Sequence, residues 1–161
     1  EHERLITAAH LKEVQEIEQN LSTAQGVAVL KLIKLFEEAE NRELYQEELP
    51  NLYSLKGKIE TLQKEVDALN EVILEELYPF DTLSLKDKET VSNIVARFNQ
   101  LPEQDQRKIL SYEDVKKSEA QIVSLSRARL IKLAVAVAIG LLVILFSWRI
   151  RKRKKEKWIT E

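Results

Sequence analysis

A run of sixteen uncharged residues near the carboxyl end, Leu133 to Trp148, restricts the fold of this chain more than any other feature. Alone it is slightly shorter than the roughly 20 residues that a helix needs to cross the hydrocarbon of a bilayer. Three further apolar residues extend its surface: Leu130, Ile131 and Ile150. The flanking Lys132 and Arg149 can lay their stems along the helix while their charges reach the headgroups. The segment 130–150 is therefore predicted to be a transmembrane helix.

A buried core helix is the alternative interpretation of this segment. The stretch from Ala134 to Phe146 is apolar on every face, whereas a core helix in so small a protein keeps a polar face toward water. Trp148 lies at the end of the run, where an interfacial aromatic side chain is typical. We therefore favour the transmembrane helix, and the lipid bilayer is the first expected partner.

Positive charge is concentrated after the span. Residues 149–161 contain seven Lys or Arg and two Glu, a net charge of +5, whereas the preceding 148 residues carry 18 basic and 25 acidic groups, a net charge of −7. The seven cations are Arg149, Arg151, Lys152, Arg153, Lys154, Lys155 and Lys157. A sparser basic group precedes the span: Lys116, Lys117, Arg127, Arg129 and Lys132. The positive-inside rule then predicts a single-pass protein of the cell membrane, with a cytoplasmic tail at 151–161 and an extracellular region at 1–129.

The basic tail also bears on partners. Each cation near a membrane surface attracts anionic lipid by about 1 kcal/mol, so the tail could recruit such lipids. A stop-transfer signal alone also explains these cations, without a further role in lipid binding. Trp158 is the one aromatic residue among these cations, so the tail lacks the interleaved stacking side chains that bind nucleic acids. No nucleic-acid partner is expected.

The composition of the whole chain favours helices. Only three Gly and three Pro interrupt 161 residues, and strand-rich proteins need more frequent turn residues. Cysteine is absent, which excludes disulfides, thiolate metal sites and cysteine nucleophiles. A cysteine-free outer region of this size is more typical of a bacterial surface than of a secreted animal domain. Because the chain begins at Glu1 and has no Met, we expect that a signal peptide has been removed.

Apolar periodicity and capping patterns predict the first two helices. The first runs from Glu3 to Asn20. A capping box at Ser22–Gln25 begins the second helix, which continues to about Glu48 and is ended by Pro50. Six apolar residues of this second helix are expected to be largely buried: Val27, Leu30, Ile33, Leu35, Phe36 and Ala39.

A third helix carries apolar residues at alternating spacings of four and three: Leu55, Ile59, Leu62, Val66, Leu69 and Ile73. This coiled-coil-like seam spans nearly three heptads, and an intramolecular bundle is favoured over a free coiled coil. The helix should stop near Tyr78–Pro79. Capping patterns at Ser84–Asp87 and Ser111–Asp114 predict helices from Leu85 to Gln100 and from Tyr112 onward, the last without a breaker before the membrane.

These elements predict an all-α protein, an elongated helical bundle with a C-terminal single transmembrane helix continuous with the last bundle helix. Four segments are expected along the chain. They are an N-terminal helical hairpin at 1–50, a three-helix-type bundle module at 51–129, the transmembrane helix at 130–150 and the basic tail at 151–161.

The segment "LSLKDKETVSNIVARFNQLPEQDQRKILSYEDVKKSEAQI", Leu83 to Ile122, resembles the small helical modules repeated in Gram-positive bacterial surface proteins. The matching positions are Leu83, Leu85, Asp87, Lys88, Val91, Leu101, Gln106, Ile109, Val115 and Ile122. The chain departs from the pattern at Glu119–Ala120, where A-E is usual, and at Arg107, where Lys is usual. The resemblance implies a cell-surface setting and a spacer or adhesive role, not a reaction.

No pattern in the chain indicates catalysis. His2 and His10 are eight residues apart, which places them about 80° apart around a helix and two turns along it, a poor arrangement for sharing a metal. The three glycines are isolated, so there is no phosphate-binding loop, and Ser124 and Ser126 have no nearby histidine. We expect no enzymatic activity, no cofactor and no metal.

Small residues in the span suggest one further contact. Ala136 and Gly140 are four residues apart, a spacing that lets two membrane helices approach closely, so a homo-oligomer is a possible assembly. The predicted function is a membrane-anchored extracellular spacer, adhesion or protein-interaction module of a bacterial cell surface, with a protein partner at the cell envelope. Three alternatives are an accessory subunit of a membrane-bound secretion or signalling complex, a tail-anchored cytosolic tether, and the stalk of a longer enzyme.

Overall fold

The computed structural model describes the backbone of residues 5–157 and the side chains of residues 5–149, and no strand occurs within them. Six α-helices follow one another: α1 (Ala8–Gln19), α2 (Gly26–Glu38), α3 (Glu48–Val72), α4 (Lys88–Phe98), α5 (Glu103–Gln106) and α6 (Tyr112–Lys157). Shorter helical turns connect them at Thr23–Gln25, Arg42–Tyr45, Phe80–Thr82 and Leu85–Asp87, and a π-helical turn, Ile73–Leu77, extends α3. The predicted all-α class is confirmed.

The first helix begins later than predicted. Thr7 is the N-cap of α1, and its backbone N–H donates to Nδ1 of His10 at 3.1 Å. Ile6 lies outside the helix and pairs with Asn41, whose side chain accepts from the Ile6 N–H at 2.8 Å and donates to the Ile6 carbonyl at 2.9 Å. Residues 5–7 therefore do not belong to the predicted helix from Glu3, because a distant side chain takes the backbone groups that a helix would have used.

The predicted role of Pro50 was wrong. Helix α2 ends at Glu38, where Ala39 turns to an extended conformation, and Pro50 is the third residue of α3. The first helical turn tolerates proline because the N–H groups there have no partner within the helix. Pro50 thus stands at the start of one helix and not at the end of another.

The buried face of α2 also differs in part from the prediction. Val27 and Leu30 are 65% and 52% exposed. The buried residues of α2 are Val29, Leu32, Ile33 and Phe36. Burial follows one stripe at helical spacing, so an apolar residue on the opposite face stays in contact with solvent.

Helix α3 belongs to two hydrophobic cores. Its first half contributes Leu52, Leu55 and Ile59 to a core with α1 and α2. Its second half contributes residues to another core with α4 and α6: Val66, Leu69, Ile73 and Leu77. The predicted seam is therefore buried within the chain, with Leu62 only partly buried between the two cores. The division of the chain at residues 50/51 stays a prediction.

Two of the predicted capping boxes are confirmed, and the third position adopts another conformation. The N–H of Ser22 donates to Oε1 of Gln25, and that of Ser84 to Oδ2 of Asp87, each at 2.7 Å. Ser111 has φ 55°, in the left-handed region, which costs a residue with a Cβ about 1 kcal/mol. Its carbonyl accepts from the N–H groups of Asp114 and Val115, the first turn of α6.

Asp105 links the two cores. Its side chain is completely buried, and both carboxylate oxygens accept from the backbone N–H of Thr23, at 3.2 and 3.1 Å. The Thr23 hydroxyl also donates to Asp105, and Nζ of Lys108 lies 3.8 Å from the same carboxylate. Asp105 therefore caps the Thr23–Gln25 turn from 82 residues away, which the sequence did not suggest.

A second polar link joins α3 and α4. The guanidinium of Arg97 donates two hydrogen bonds to the carboxylate of Glu65, at 2.6 and 3.0 Å. These bonds stabilise the charged carboxylate, so the pKa of Glu65 is lowered, although partial burial opposes the effect. The pair fixes how the two helices face each other at the edge of the second core.

Candidate membrane anchor and docking surface

Helix α6 changes its environment along its length. Val115 and Ile122 lie in the second core, and no described side chain of α6 after Ile122 is buried. The large apolar side chains from Leu130 to Trp148 are between 52% and 68% exposed. This part of the chain is long and apolar enough to cross a membrane. Apolar surface of this extent needs lipid or a protein around it.

The predicted interface residues lie at the two ends of this apolar stretch. Lys132 and Arg149 are exposed and flank it, and Trp148 is exposed beside Arg149. The two cations are seventeen positions apart in the helix, which is about 26 Å at 1.5 Å per residue and close to the roughly 30 Å thickness of a bilayer core. The backbone of α6 continues through the tail cations, whose side chains lie outside the described residues: Arg151, Lys152, Arg153, Lys154 and Lys155.

Gly140 lies in open space. A Cβ added at this position would meet no atom within 4 Å, and Ala136, one turn earlier, is exposed as well. No neighbour among the described residues therefore requires a small residue at position 140. A second copy of the helix has room to approach along this face, as the spacing of small residues predicts.

Replacement of Gly140 by leucine tests that contact in a membrane self-association assay. The leucine fits the monomer without a clash, so we expect it to weaken association only by separating two helix backbones. Ala134→Leu, an equally bulky change at another small residue of the span, is the matched control. Unchanged association of Gly140→Leu excludes this interface.

A second exposed apolar surface lies at the end of α3. Leu74, Tyr78 and Leu110 are 66–69% exposed and line a groove of about 510 Å³, which we call the apolar groove. Asn70 fixes the segment that contains Leu110 against α3. Its side chain accepts from the Leu110 N–H at 2.7 Å and donates to the Lys108 carbonyl at 3.1 Å. Glu71 and Glu75 lie at its border. The groove is formed by packed elements and is open to a partner.

Two of the polar side chains considered for chemistry, His10 and Ser124, have structural partners. His10 accepts the Thr7 N–H at the start of α1, and Ser124 donates to the Gln121 carbonyl of its own helix at 2.7 Å. His2 lies outside the described residues. Among the side chains that the structure describes, no three of His, Cys, Asp or Glu are grouped so as to hold a metal. The arrangement offers surfaces for binding.

No protein-family model matches this chain, and neither a curated protein nor a solved structure matches it significantly.

Proposed function

We propose that this chain is a single-pass membrane protein of a bacterial cell surface, related to the helical modules of Gram-positive surface proteins. Its bundle is a spacer or protein-interaction module outside the cell, and its basic tail is inside. The observation that carries the proposal is the environment of α6, which is packed in a protein core at Ile122 and has no buried side chain among the described residues after it.

The proposed mechanism is positional. Residue 130 follows Ile122 by eight positions, about 12 Å of helix, so the second core is held close to the membrane surface. No Gly or Pro interrupts residues 112–139, and such a helix resists bending. Helix α6 then acts as one rod from the core into the bilayer, and an elongated bundle carries its binding surface at a fixed distance from the lipid.

The proposed orientation rests on the basic residues that flank the span. Seven Lys or Arg lie within residues 149–161, against three in the fifteen residues before Leu133, which are Arg127, Arg129 and Lys132. The denser basic flank favours retention of the tail in the cytoplasm. A tail-anchored cytosolic protein would have the opposite orientation, with residues 1–129 inside the cell.

Single cysteines test the orientation, because the natural chain contains none. Leu44 is 78% exposed on the bundle, and Lys154 lies in the tail. On intact cells, a membrane-impermeant maleimide should label Leu44→Cys and should label Lys154→Cys only after permeabilisation. The reverse pattern would replace this proposal with the tail-anchored alternative.

The apolar groove favours a second candidate function, an accessory subunit that docks on another protein of a secretion or signalling complex. An exposed apolar patch of this kind is typical of a protein interface. We expect fewer proteins to co-purify with the detergent-extracted Leu74→Glu/Leu110→Glu variant than with the natural chain, because two charges would be buried in the interface. Val27→Glu/Leu44→Glu, on exposed positions elsewhere, is the matched control. Equal recovery of partners with both variants excludes the groove as the docking surface.

A further inference from the structure

A second groove lies where α6 leaves the protein core. One wall comes from Leu85 and Lys88, at the turn before α4 and its first residue, and the other from one face of α6. The volume of this basic groove, as we name it, is about 670 Å³. The α6 wall carries Arg129 and Lys132 together with Leu130 and Leu133. The groove thus combines three cations with apolar side chains at the start of the candidate span.

The three cations of the basic groove have no anionic partner among the side chains that the structure describes. No described carboxylate lies within 4 Å of Lys88, Arg129 or Lys132, and no Asp or Glu lines the groove. The lysines higher on α6 are arranged differently, since Lys116 pairs with Glu113 and Lys117 with Asp114. Along α6, Lys116 and Lys117 are therefore paired with carboxylates, whereas Arg129 and Lys132 have no such partner among the described residues.

The groove also places cations and apolar side chains next to one another along α6. Arg129 and Lys132 are one helical turn apart, as are Leu130 and Leu133, and Ala136 continues the lining one turn further toward the span. Cationic and apolar side chains therefore alternate along this wall, and Ala136 ends it on the side of the candidate span. An amphiphile with an anionic head and a hydrocarbon chain matches this combination, whereas a free phosphate or a nucleic acid would leave the apolar side chains unused.

We propose that the basic groove binds one anionic phospholipid from the leaflet that faces the bundle. Lys88, Arg129 and Lys132 contact the phosphate oxygens, and the first methylenes of an acyl chain pack along Leu130, Leu133 and Ala136. This inference rests on the proposed insertion of residues 130–150. It assigns a role to cations before the span that a stop-transfer signal does not need, and the bound lipid would fix the bundle against the bilayer.

The test measures lipid binding by the full-length chain in neutral lipid nanodiscs that contain a titrated fraction of phosphatidylglycerol. Native mass spectrometry counts the phosphatidylglycerol molecules retained by each chain. Lys88→Gln/Arg129→Gln removes two groove cations, and Lys58→Gln/Lys64→Gln removes two exposed cations of α3, with the same change in net charge. Each cation near an anionic surface strengthens binding about fivefold, so the groove variant should bind about 25-fold more weakly, and the control variant should match the natural chain.

Three outcomes would overturn the lipid site. One is equal affinity of the groove and control variants. Another is equal retention of phosphatidylglycerol and phosphatidylcholine by the natural chain. The third is displacement of the lipid by inorganic phosphate at a similar concentration, which would indicate an anion site without a role for the hydrocarbon. Alkaline extraction of cell membranes distinguishes failure of the lipid site from failure of the proposed function. If the natural chain stays with the membrane but shows no lipid selectivity, only the lipid site is contradicted. If the natural chain is extracted, both proposals are contradicted.

Discussion

Two arginines in the middle of the span, Ile139→Arg/Leu142→Arg, should release the chain from the membrane. Both side chains are more than half exposed and contact no core residue, so the charges would have to enter hydrocarbon. Each costs roughly 2.5–3.5 kcal/mol at the centre of a membrane helix, and the pair about 5–7 kcal/mol. That cost corresponds to a shift of about four orders of magnitude in the insertion equilibrium.

The measurement is the fraction of chain that stays in the membrane pellet after alkaline extraction. The natural chain should remain in the pellet and the arginine variant should appear in the supernatant. Val27→Arg/Leu44→Arg adds the same charge at exposed positions of the bundle and should remain in the pellet. A double arginine variant that resists extraction as well as the natural chain does would show that residues 130–150 do not anchor the protein.

The parts of the fold that the sequence predicted are those that neighbouring residues determine. The long apolar helix follows from sixteen uncharged residues in succession, and the caps at Ser22 and Ser84 join residues three positions apart. The seam of α3 was also recognisable, because a repeat of three and four residues places Leu55 and Leu69 on one face of any helix. None of these features depends on the arrangement of the helices in space.

The errors came where one local pattern fits two structures. Proline is compatible with the residues just after a helix and with its first turn, so Pro50 alone does not distinguish the end of α2 from the start of α3. Helix α2 is apolar on more than one side, and its contacts with α1 and α3 decide that Phe36 is buried and Leu30 exposed. Composition indicated the apolar helix but not its buried stripe.

The candidate sites depended on contacts between distant segments. The groove cations Lys88 and Arg129 are 41 residues apart, and the apolar groove joins Leu74 with Leu110. No periodic pattern relates such positions, because packing of α6 against α4 and of the Leu110 loop against Asn70 brings them together. The basic residues just before the predicted span were the one sequence signal for the basic groove. From the sequence alone they entered only the prediction of membrane orientation.

Asp105→Ala should destabilise the bundle more than any change of an exposed polar residue. The variant would leave the part-buried backbone N–H of Thr23 without its acceptor, and an unsatisfied donor away from water costs about 1–3 kcal/mol. The hydrogen bond from the Thr23 hydroxyl to the carboxylate would be lost as well. We expect the free energy of unfolding to fall by about 3 kcal/mol, measured by urea denaturation of the full chain in a mild non-ionic detergent.

The matched control for Asp105→Ala is Glu103→Ala, two residues earlier in α5. Glu103 is 82% exposed and pairs only with Arg107, so its loss should change the free energy of unfolding by about 0.5 kcal/mol or less. Asp105→Asn retains one acceptor for Thr23 and should lie between the two. Equal stability of the Asp105→Ala and Glu103→Ala variants would contradict the assigned link.

The region that Asp105→Ala destabilises is as informative as the decrease in the free energy of unfolding. The amide that loses its acceptor in Asp105→Ala begins the turn that leads into α2, so opening should spread first through α2, whose Leu32 and Phe36 lie in the first core. Hydrogen exchange should therefore accelerate more in α2 than in α4, which belongs to the second core. Equal acceleration in both helices would contradict this prediction. It would mean that the two cores, which share α3, unfold together as one cooperative unit that Asp105 stabilises as a whole.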